Sequence, residues 1–483
     1  MREVKTISAD ILQSFPKADE EKVSRMLQEE VNKNRKKIVV LDDDPTGVQT
    51  VHDVSVYTNW EKSSIEQGFA EENMLFYVLT NSRGLTAAQT EPVHRQIART
   101  ISQVSKETGK DFIIMSRSDS TLRGHYPLEP RLLKEVVEEE TGVKIDGEIL
   151  CPFFKEGGRF TIDNIHYVKY GDQLVPAGET EFAADKTFGY TASDLRDYVE
   201  EKTGGEYKAD QVTCISLEDL RALNFDKIES QLMEVSDFNK VIVNAADYVD
   251  IRIFCIALYH VMEKGRHFMF RTAASLVKEL GGVPDQPLLT REQMITGETK
   301  NGGVIIVGSH TQKTTAQLEA LKTLDGVVSI EFNSDLVLDD ERFLEETKRV
   351  TKEIESLIAQ GKTVAAYTRR KLLTVENDTR EDALIRSVKI SEAVQSLVGG
   401  LSIAPSFVIA KGGITSSDIG TKALDVKRAS VMGQIKPGIP VWRTGEESRF
   451  PHMPYVIFPG NVGEIETLKE AAEVLMGEEN GGK

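Results

Sequence analysis

The stretch from Ile38 to Thr50, IVVLDDDPTGVQT, constrains this chain more than any other, because four aliphatic residues run unbroken into three consecutive aspartates. Such a run predicts a strand buried on both faces, hence a parallel sheet covered by helices. Ligands of such sheets bind at the carboxyl ends of the strands. Asp42, Asp43 and Asp44 therefore stand where a substrate or a metal-bound phosphate could reach them, with Pro45 and Gly47 setting the turn. Adjacent carboxylates repel one another unless a cation or a cluster of donors offsets them, so three at a strand exit point to a functional position.

The same arrangement recurs downstream. A strand predicted over Met74 to Leu79 exits into Thr80, Asn81, Ser82 and Arg83. A helix over Ala87 to Thr108 follows, and then a strand over Phe112 to Met115 that exits into SRSDSTLRGH, Ser116 to His125. Polar clusters at three successive strand ends of a β/α series are a property of parallel sheets. In the last cluster Arg117 and Arg123 offer planar forks for a carboxylate, and Asp119, Ser120 and Thr121 suit hydroxyl groups, around Gly124. Upstream, residues 18–34 place Val23, Met26, Leu27 and Val31 at helical spacing, which predicts an amphipathic helix beside the first strand. After a strand at Ile149, a hairpin is expected around Gly157 and Gly158. The lone His166 near its end suits a structural role as well as a ligand contact, and Val175 to Tyr190 reads as an ordered loop over a site. Strands over Gln211 to Ile215 and Lys240 to Asn244 and a helix over Ala246 to Lys264 complete this half.

From Gly281 to Gly303 the chain turns to Pro, Gly and polar residues without apolar period, which predicts a first domain over 1–283, a linker over 284–303 and a second domain over 304–483. The second domain opens a new α/β series. Strand Val304 to Val307 exits into Gly308 and Ser309, with a helix from about Thr315. Strand Thr363 to Ala366 and a helix over Glu381 to Val398 come next, and strand Phe407 to Ala410 exits into Lys411, Gly412, Gly413, Thr415 and Ser416 ahead of a helix over Asp418 to Leu424. Tyr455 to Phe458 leads into Gly460, Asn461 and Gly463. Glycines admit close backbone approach, and the free N–H groups of a helix start favour an anion, so these turns point to nucleotide binding. Neither the P-loop pattern nor GxGxxG occurs.

Composition narrows the partners. A length of 483 residues implies two or three domains, and a net charge of −18 argues against a nucleic-acid partner. Cys151, Cys214 and Cys255 are scattered without ligand-like spacing, as in a reduced, cytoplasmic interior. No stretch reaches the roughly 20 apolar residues that span a bilayer, so no membrane partner is expected.

In order, these motifs resemble the four-carbon acid sugar kinases, a family long catalogued as a domain of unknown function. The family's D-D-x-T-G turn is matched by Asp43, Asp44, Pro45, Thr46 and Gly47, and its T-[DN]-S-R exit by Thr80 to Arg83. Its basic-x-D-S-T-x-R-G loop is matched by Arg117, Asp119, Ser120, Thr121, Arg123 and Gly124. Its later turns are matched by Gly308 and Ser309, by Gly412, Gly413, Thr415 and Ser416, and by Gly460, Asn461 and Gly463. The chain departs in having Arg117 where a lysine is common, Phe458-Pro459 where Lys-Ser is common, and a longer Val143 to Tyr190 region.

The resemblance implies an α/β protein of two domains, each a mostly parallel sheet flanked by helices, with the active site in the cleft between them. It implies an ATP-dependent kinase of a four-carbon sugar acid, threonate, erythronate or a 3-oxo form, with Mg²⁺ as helper ion and its ligands unassigned. The acid would lie against Thr46, Arg83, Arg117, Ser120, Thr121, Arg123 and Gly124, and ATP against Ser309, Gly412, Gly413, Thr415, Ser416, Gly460, Asn461 and Gly463. The proton-accepting carboxylate is expected to be Asp44, which is nearest the Pro45-Thr46-Gly47 turn, ahead of Asp43 and Asp119. A homodimer is left open. Two rivals fit parts of the sequence. A haloacid-dehalogenase-type phosphatase would use Asp42 as nucleophile and Asp44 as acid/base, with Asp247 and Asp250 the nearest match to its later acidic pair. A non-catalytic metabolite-binding protein would consume no ATP.

Overall fold

The computed structural model describes residues 4–297, 299–371, 373, 375, 378, 380–460 and 462–477, so Asn461 lies outside the described residues. The chain divides into two compact units, one of residues 1–47 and 59–285, the other of residues 48–58 and 286–483. The break at 285 falls inside the expected compositional shift. Segment 48–58, expected in the first domain, belongs to the second unit because strand Val54–Tyr57 pairs antiparallel with Arg428–Lys436. A partner so distant in sequence leaves no local signal. Residues 286–303 likewise pack as part of the second unit, where Met294 is fully buried and the Leu289 N–H donates to the Gln434 carbonyl at 2.8 Å.

Among the described residues, the N-terminal unit is built on seven parallel strands. Their order is Thr213–Ile215, Asn239–Val243, Gly147–Cys151, Phe268–Thr272, Phe112–Arg117, Lys37–Asp42 and Leu75–Leu79. The aliphatic run of Lys37–Asp42 is buried along its whole length, as its composition requires. Register sets Asp42 opposite Arg117 on one side and Leu79 on the other, so three polar exits meet at one end of the sheet. The leading helix, Glu20–Lys33, is capped by Asp19 and packs chiefly on helix Tyr248–Glu263 and not on the first strand. A second, antiparallel sheet orders Ile7–Ser8, Gln173–Pro176, Ile165–Tyr170 and Arg159–Ile162. Its tight hairpin turns at Asp163 and Asn164, whose φ angles are 51° and 69°. The expected turn at Gly157 and Gly158 closes a smaller bridge between Phe154 and Arg159.

The sheet of the C-terminal unit runs Val54–Tyr57, Arg428–Lys436, Ile439–Thr444, Pro454–Phe458, Val408–Lys411, Val304–Val307, Thr363–Thr368 and Val327–Phe332. The last five are parallel and the first three are added antiparallel. Ile305, Val307, Ile409, Val456 and Phe458 form its core with Leu318 and Leu468 from the covering helices. Two helices start earlier than expected. One spans Gln312–Leu321, capped by Thr311, and the other begins at Gly413, which puts Thr415 and Ser416 in its first turn. Among the described residues no helix is long and apolar enough to cross a membrane.

Candidate active site

At the carboxyl end of the first sheet the backbone ties the strand exits together before any side chain does. Asp43 N donates to the Arg117 carbonyl at 3.3 Å, Thr80 N to the Asp42 carbonyl at 2.8 Å, and Ser118 N to the Thr272 carbonyl at 2.8 Å. Onto this frame the aspartates and arginines are interleaved. Arg117 Nη1 donates to Asp42 Oδ1 at 3.0 Å and lies 3.7 Å from Asp43 Oδ1. Arg83 grips both oxygens of Asp43, through Nη2 at 2.6 Å and Nε at 3.3 Å, and its Nη1 lies 3.5 Å from Asp44 and 4.0 Å from Asp119. Arg123 Nε donates to Asp119 Oδ2 at 2.7 Å, and the Thr121 hydroxyl donates to the same oxygen.

The carboxylates are therefore inequivalent. Burial pushes Asp42 up to about 7, with Arg117 opposing and the neighbouring aspartates adding to the rise. Burial also raises Asp43 in spite of Arg83. For Asp44 the burial cost is outweighed by Arg83 and by hydrogen bonds from Thr46, whose N–H donates to Oδ1 at 2.8 Å, so it sits below the ordinary range. Asp119 is held far lower still, because Arg123, Arg83 and Thr121 outweigh its burial. The Asp44 side chain is also the most open of the four, at 14% exposure. Gly47 matters for the innermost carboxylate: a Cβ at that position would fall about 2 Å from the Asp42 oxygens, so only glycine lets the turn close over Asp42. Gly124 is needed for its backbone, at φ 117°, and less for space, its Cβ position lying 3.3 Å from Asp43 Oδ2.

Of the expected acid-binding residues, Arg83, Arg117 and Arg123 are engaged with aspartates. The Ser120 and Thr121 carbonyls are held from outside, by His166 Nε2 at 2.7 Å and by the Tyr190 hydroxyl at 2.7 Å. His166 is fully buried, and burial lowers it to about 4, so it acts as a neutral brace on the loop. Val175 to Tyr190 does lie against this loop, Tyr190 by its hydroxyl and Phe182 by its ring, 5.0 Å from the Arg123 guanidinium. The sequence reading passed over Arg271 and Glu129. Arg271, on Phe268–Thr272, donates to the Arg123 carbonyl at 2.8 Å; its only local signal was the short apolar run FMF. Glu129 accepts from Ser82 at 2.5 Å and from Ser116 at 3.4 Å beneath the exits. Asp247 and Asp250, the candidate acidic pair of a phosphatase, form the capping box of helix Tyr248–Glu263, and Asp250 is gripped by Arg221.

In the C-terminal unit a cavity of about 490 Å³ opens at the strand exits, lined in part by Ser309, Gly412, Gly413, Thr415 and Gly460. Glycine turns form part of its wall, and His310, Arg386, Ile390 and Val394 line it as well. A Cβ at Gly308 would fall 2.2 Å from Thr415 Oγ1, and Gly412, at φ 119°, would carry one 3.1 Å from Ser309 Cβ. Lys411 is fully buried, donates to the Pro459 carbonyl at 2.5 Å and the Gly460 carbonyl at 3.3 Å, and so straps two of the turns together. Burial pulls its ammonium down to about 7, with Lys313 adding. Ser416 is turned inward, its hydroxyl donating to the Ala410 carbonyl at 2.9 Å, and Gly463, at φ 82°, shapes the start of helix Thr467–Met476 away from the cavity lining. Among the described residues no three His, Cys, Asp or Glu are grouped to hold a metal ion.

Residues 38–280 match the family model of a sugar-binding N-terminal domain, and residues 304–468 that of a nucleotide-binding C-terminal domain. Among solved structures, a Haemophilus influenzae protein of family DUF1537 superposes with a TM-score of 0.60 at 15% identity, over 90% of this chain and 100% of that one. A Salmonella typhimurium LT2 protein, provisionally named a tRNA synthase, superposes with a TM-score of 0.64 at 14% identity, over 90% of this chain and 98% of its own. At such identities the likeness concerns the fold alone. No curated protein matches the sequence.

Proposed function

The chain belongs to the four-carbon acid sugar kinase family, and we propose from this that it is an ATP-dependent kinase that phosphorylates an alcohol group of a small sugar acid or its oxo form. The observation that carries the reading is the convergence of five expected ATP-binding residues, Ser309, Gly412, Gly413, Thr415 and Gly460, on one cavity at strand exits, within the half that matches a nucleotide-binding domain. Glycine backbone and hydroxyls beside a helix start suit phosphate oxygens, which accept N–H and O–H bonds and gain from the helix dipole. Mg²⁺ bound with the nucleotide would neutralise phosphate charge.

In the N-terminal unit we assign the base role to Asp44. Phosphoryl transfer asks the protein to aim the hydroxyl and accept its proton, and little more. Asp44 is ionised at neutral pH and is the most exposed of the four, whereas Asp119 is locked by Arg123 and Thr121, and Asp42 lies closed under Gly47 and bound to Arg117. That last geometry also disfavours Asp42 as the nucleophile of a phosphatase, since its oxygens lack an open face. The test is ADP release by the purified protein with erythronate, threonate and their 3-oxo forms. Acceptor-dependent turnover is expected; ATP left intact with every acid would reject the kinase reading, and a phosphoaspartate at Asp42 would restore the phosphatase.

A further inference from the structure

The antiparallel sheet brings to this end of the N-terminal unit an arginine on which Asp119 and Glu181 act only at longer range. Arg159 opens strand Arg159–Ile162, is 7% exposed, and forms no ion pair within 4.0 Å among the described residues. Its Nε is fully buried and donates no hydrogen bond. The contrast with its neighbours is sharp: Arg83 grips Asp43, Arg117 holds Asp42, and Arg123 holds Asp119.

Arg159 is nevertheless built in. The bridge to Phe154, with N–H to carbonyl distances of 3.1 and 2.8 Å, pins its backbone. Gly157 makes room for the guanidinium, since a Cβ there would fall 2.8 Å from Nη1. Its guanidinium lies 5.5 Å from the Phe182 ring centroid, and that of Arg123 lies 5.0 Å from the same ring. A ring face offsets part of the cost of burying one cation, but two guanidiniums about one ring repel each other, and an anion in reach of both would lower both penalties. A planar fork also matches a carboxylate better than a point charge does.

We propose that Arg159, acting with Arg123 about the Phe182 ring, is the specificity determinant that binds the carboxylate of the sugar acid. The proposal rests on the sugar-acid reading above and adds to Arg123, which the sequence favoured and which also holds Asp119, an arginine that the sequence did not single out.

Binding is measured by calorimetry without nucleotide, so that it stands apart from turnover. The probes are erythronate, threonate, their 3-oxo forms, the uncharged alcohol erythritol, and inorganic phosphate. Wild-type protein is expected to bind at least one acid, Arg159→Gln to bind it at least tenfold more weakly, and Arg159→Lys to fall between them, with circular dichroism unchanged. Erythritol should not distinguish the variants, which a merely structural role could not produce. Failure of ATP turnover with this binding pattern intact would strike the kinase reading alone. Equal acid binding by Arg159→Gln, no acid bound by wild type, or a loss confined to inorganic phosphate would each overturn the proposal.

Discussion

In the N-terminal unit the strand exits are crowded with charge, and each of four aspartates is answered by an arginine. In the C-terminal unit the exits present glycines and hydroxyls to a cavity whose other lining includes His310, Arg386, Ile390 and Val394. The first holds its shape by side-chain pairs that fix one another's direction, which suits a ligand with several polar groups to be told apart. At the second, the glycine turns leave room for main-chain donors at close range, which suits phosphates. Damage should therefore read out differently: lost charges in the first should cost chemistry or stability, and added atoms in the second should cost nucleotide affinity.

The largest effect is expected from Asp44→Asn, which keeps shape but cannot accept the proton. Turnover should drop by about 10²–10⁴-fold with ATP affinity little changed. Steady-state kinetics on Asp43→Asn, Asp44→Asn and Asp119→Asn would rank the three, and near-normal kcat in Asp44→Asn would remove it as base. Next comes Arg83→Ala. It strips the bidentate partner from a buried carboxylate, and breaking such a pair costs about 3–5 kcal/mol. Urea unfolding followed by Trp60, in a Trp442→Phe background, should show the loss in the N-terminal unit; an unchanged midpoint would mean that Asp43 does not need its arginine.

Gly412→Ala sharpens the other side of the contrast. The residue sits at φ 119°, where an L side chain is strained, and its Cβ would press on Ser309. Nucleotide affinity should fall by roughly tenfold, about 1.4 kcal/mol, while acid binding in the N-terminal unit stays as it was. Equal nucleotide affinity in a folded variant would show that the turn does not approach the phosphates.

Much of this was legible in the sequence, for reasons that differ by element. The buried run Lys37–Asp42 and the helix Ala87–Thr108 carry their periodicity on their face, and the helix ends at a left-handed glycine, Gly109. The exits could be found because polar clusters after apolar runs are conspicuous. What stayed hidden were relations across the chain. Val54–Tyr57 looks like any short strand, and its partner in Arg428–Lys436 is fixed only by tertiary pairing. Arg159 and Arg271 lie inside strands of unremarkable composition, so their convergence on Ser116 to His125 comes from topology. The partners of Arg117 and Arg123 were likewise invisible: a sequence shows that forks are present, and only a structure shows that aspartates already fill them.

The smallest effect concerns pH, where one buried carboxylate in the first unit and one buried lysine in the second should act with opposite sign. Asp42 is raised by burial to about 7, so from pH 3.8 to about 7 the folded chain keeps a proton that the unfolded chain has lost. Its contribution to stability is complete below pH 3.8 and disappears as pH rises through 7; Asp43, raised by the same cause, acts with the same sign. Asp44 and Asp119 are held below the ordinary range, so their contribution fails only in more acid solution and leaves this window alone. Lys411 is lowered by burial to about 7, so from about 7 to 10.5 it is the unfolded chain that holds the extra proton, and stability rises with pH. His166, lowered by burial to about 4, opposes Asp42 between about 4 and 6.5, so the Asp42 contribution is read by difference. The slope of the urea midpoint read from Trp60, in a Trp442→Phe background, should be more positive between pH 5 and 6.5 in Asp42→Asn than with Asp42 in place. Read from Trp442, in a Trp60→Phe background, the midpoint should slope upward by roughly 1 kcal/mol per pH unit between 7.5 and 8.5, and Lys411→Met should flatten that slope. An unchanged slope in either variant would mean that burial does not govern that group, and the contrast between a charge-built and a glycine-built exit would then have to rest on the other mutations alone.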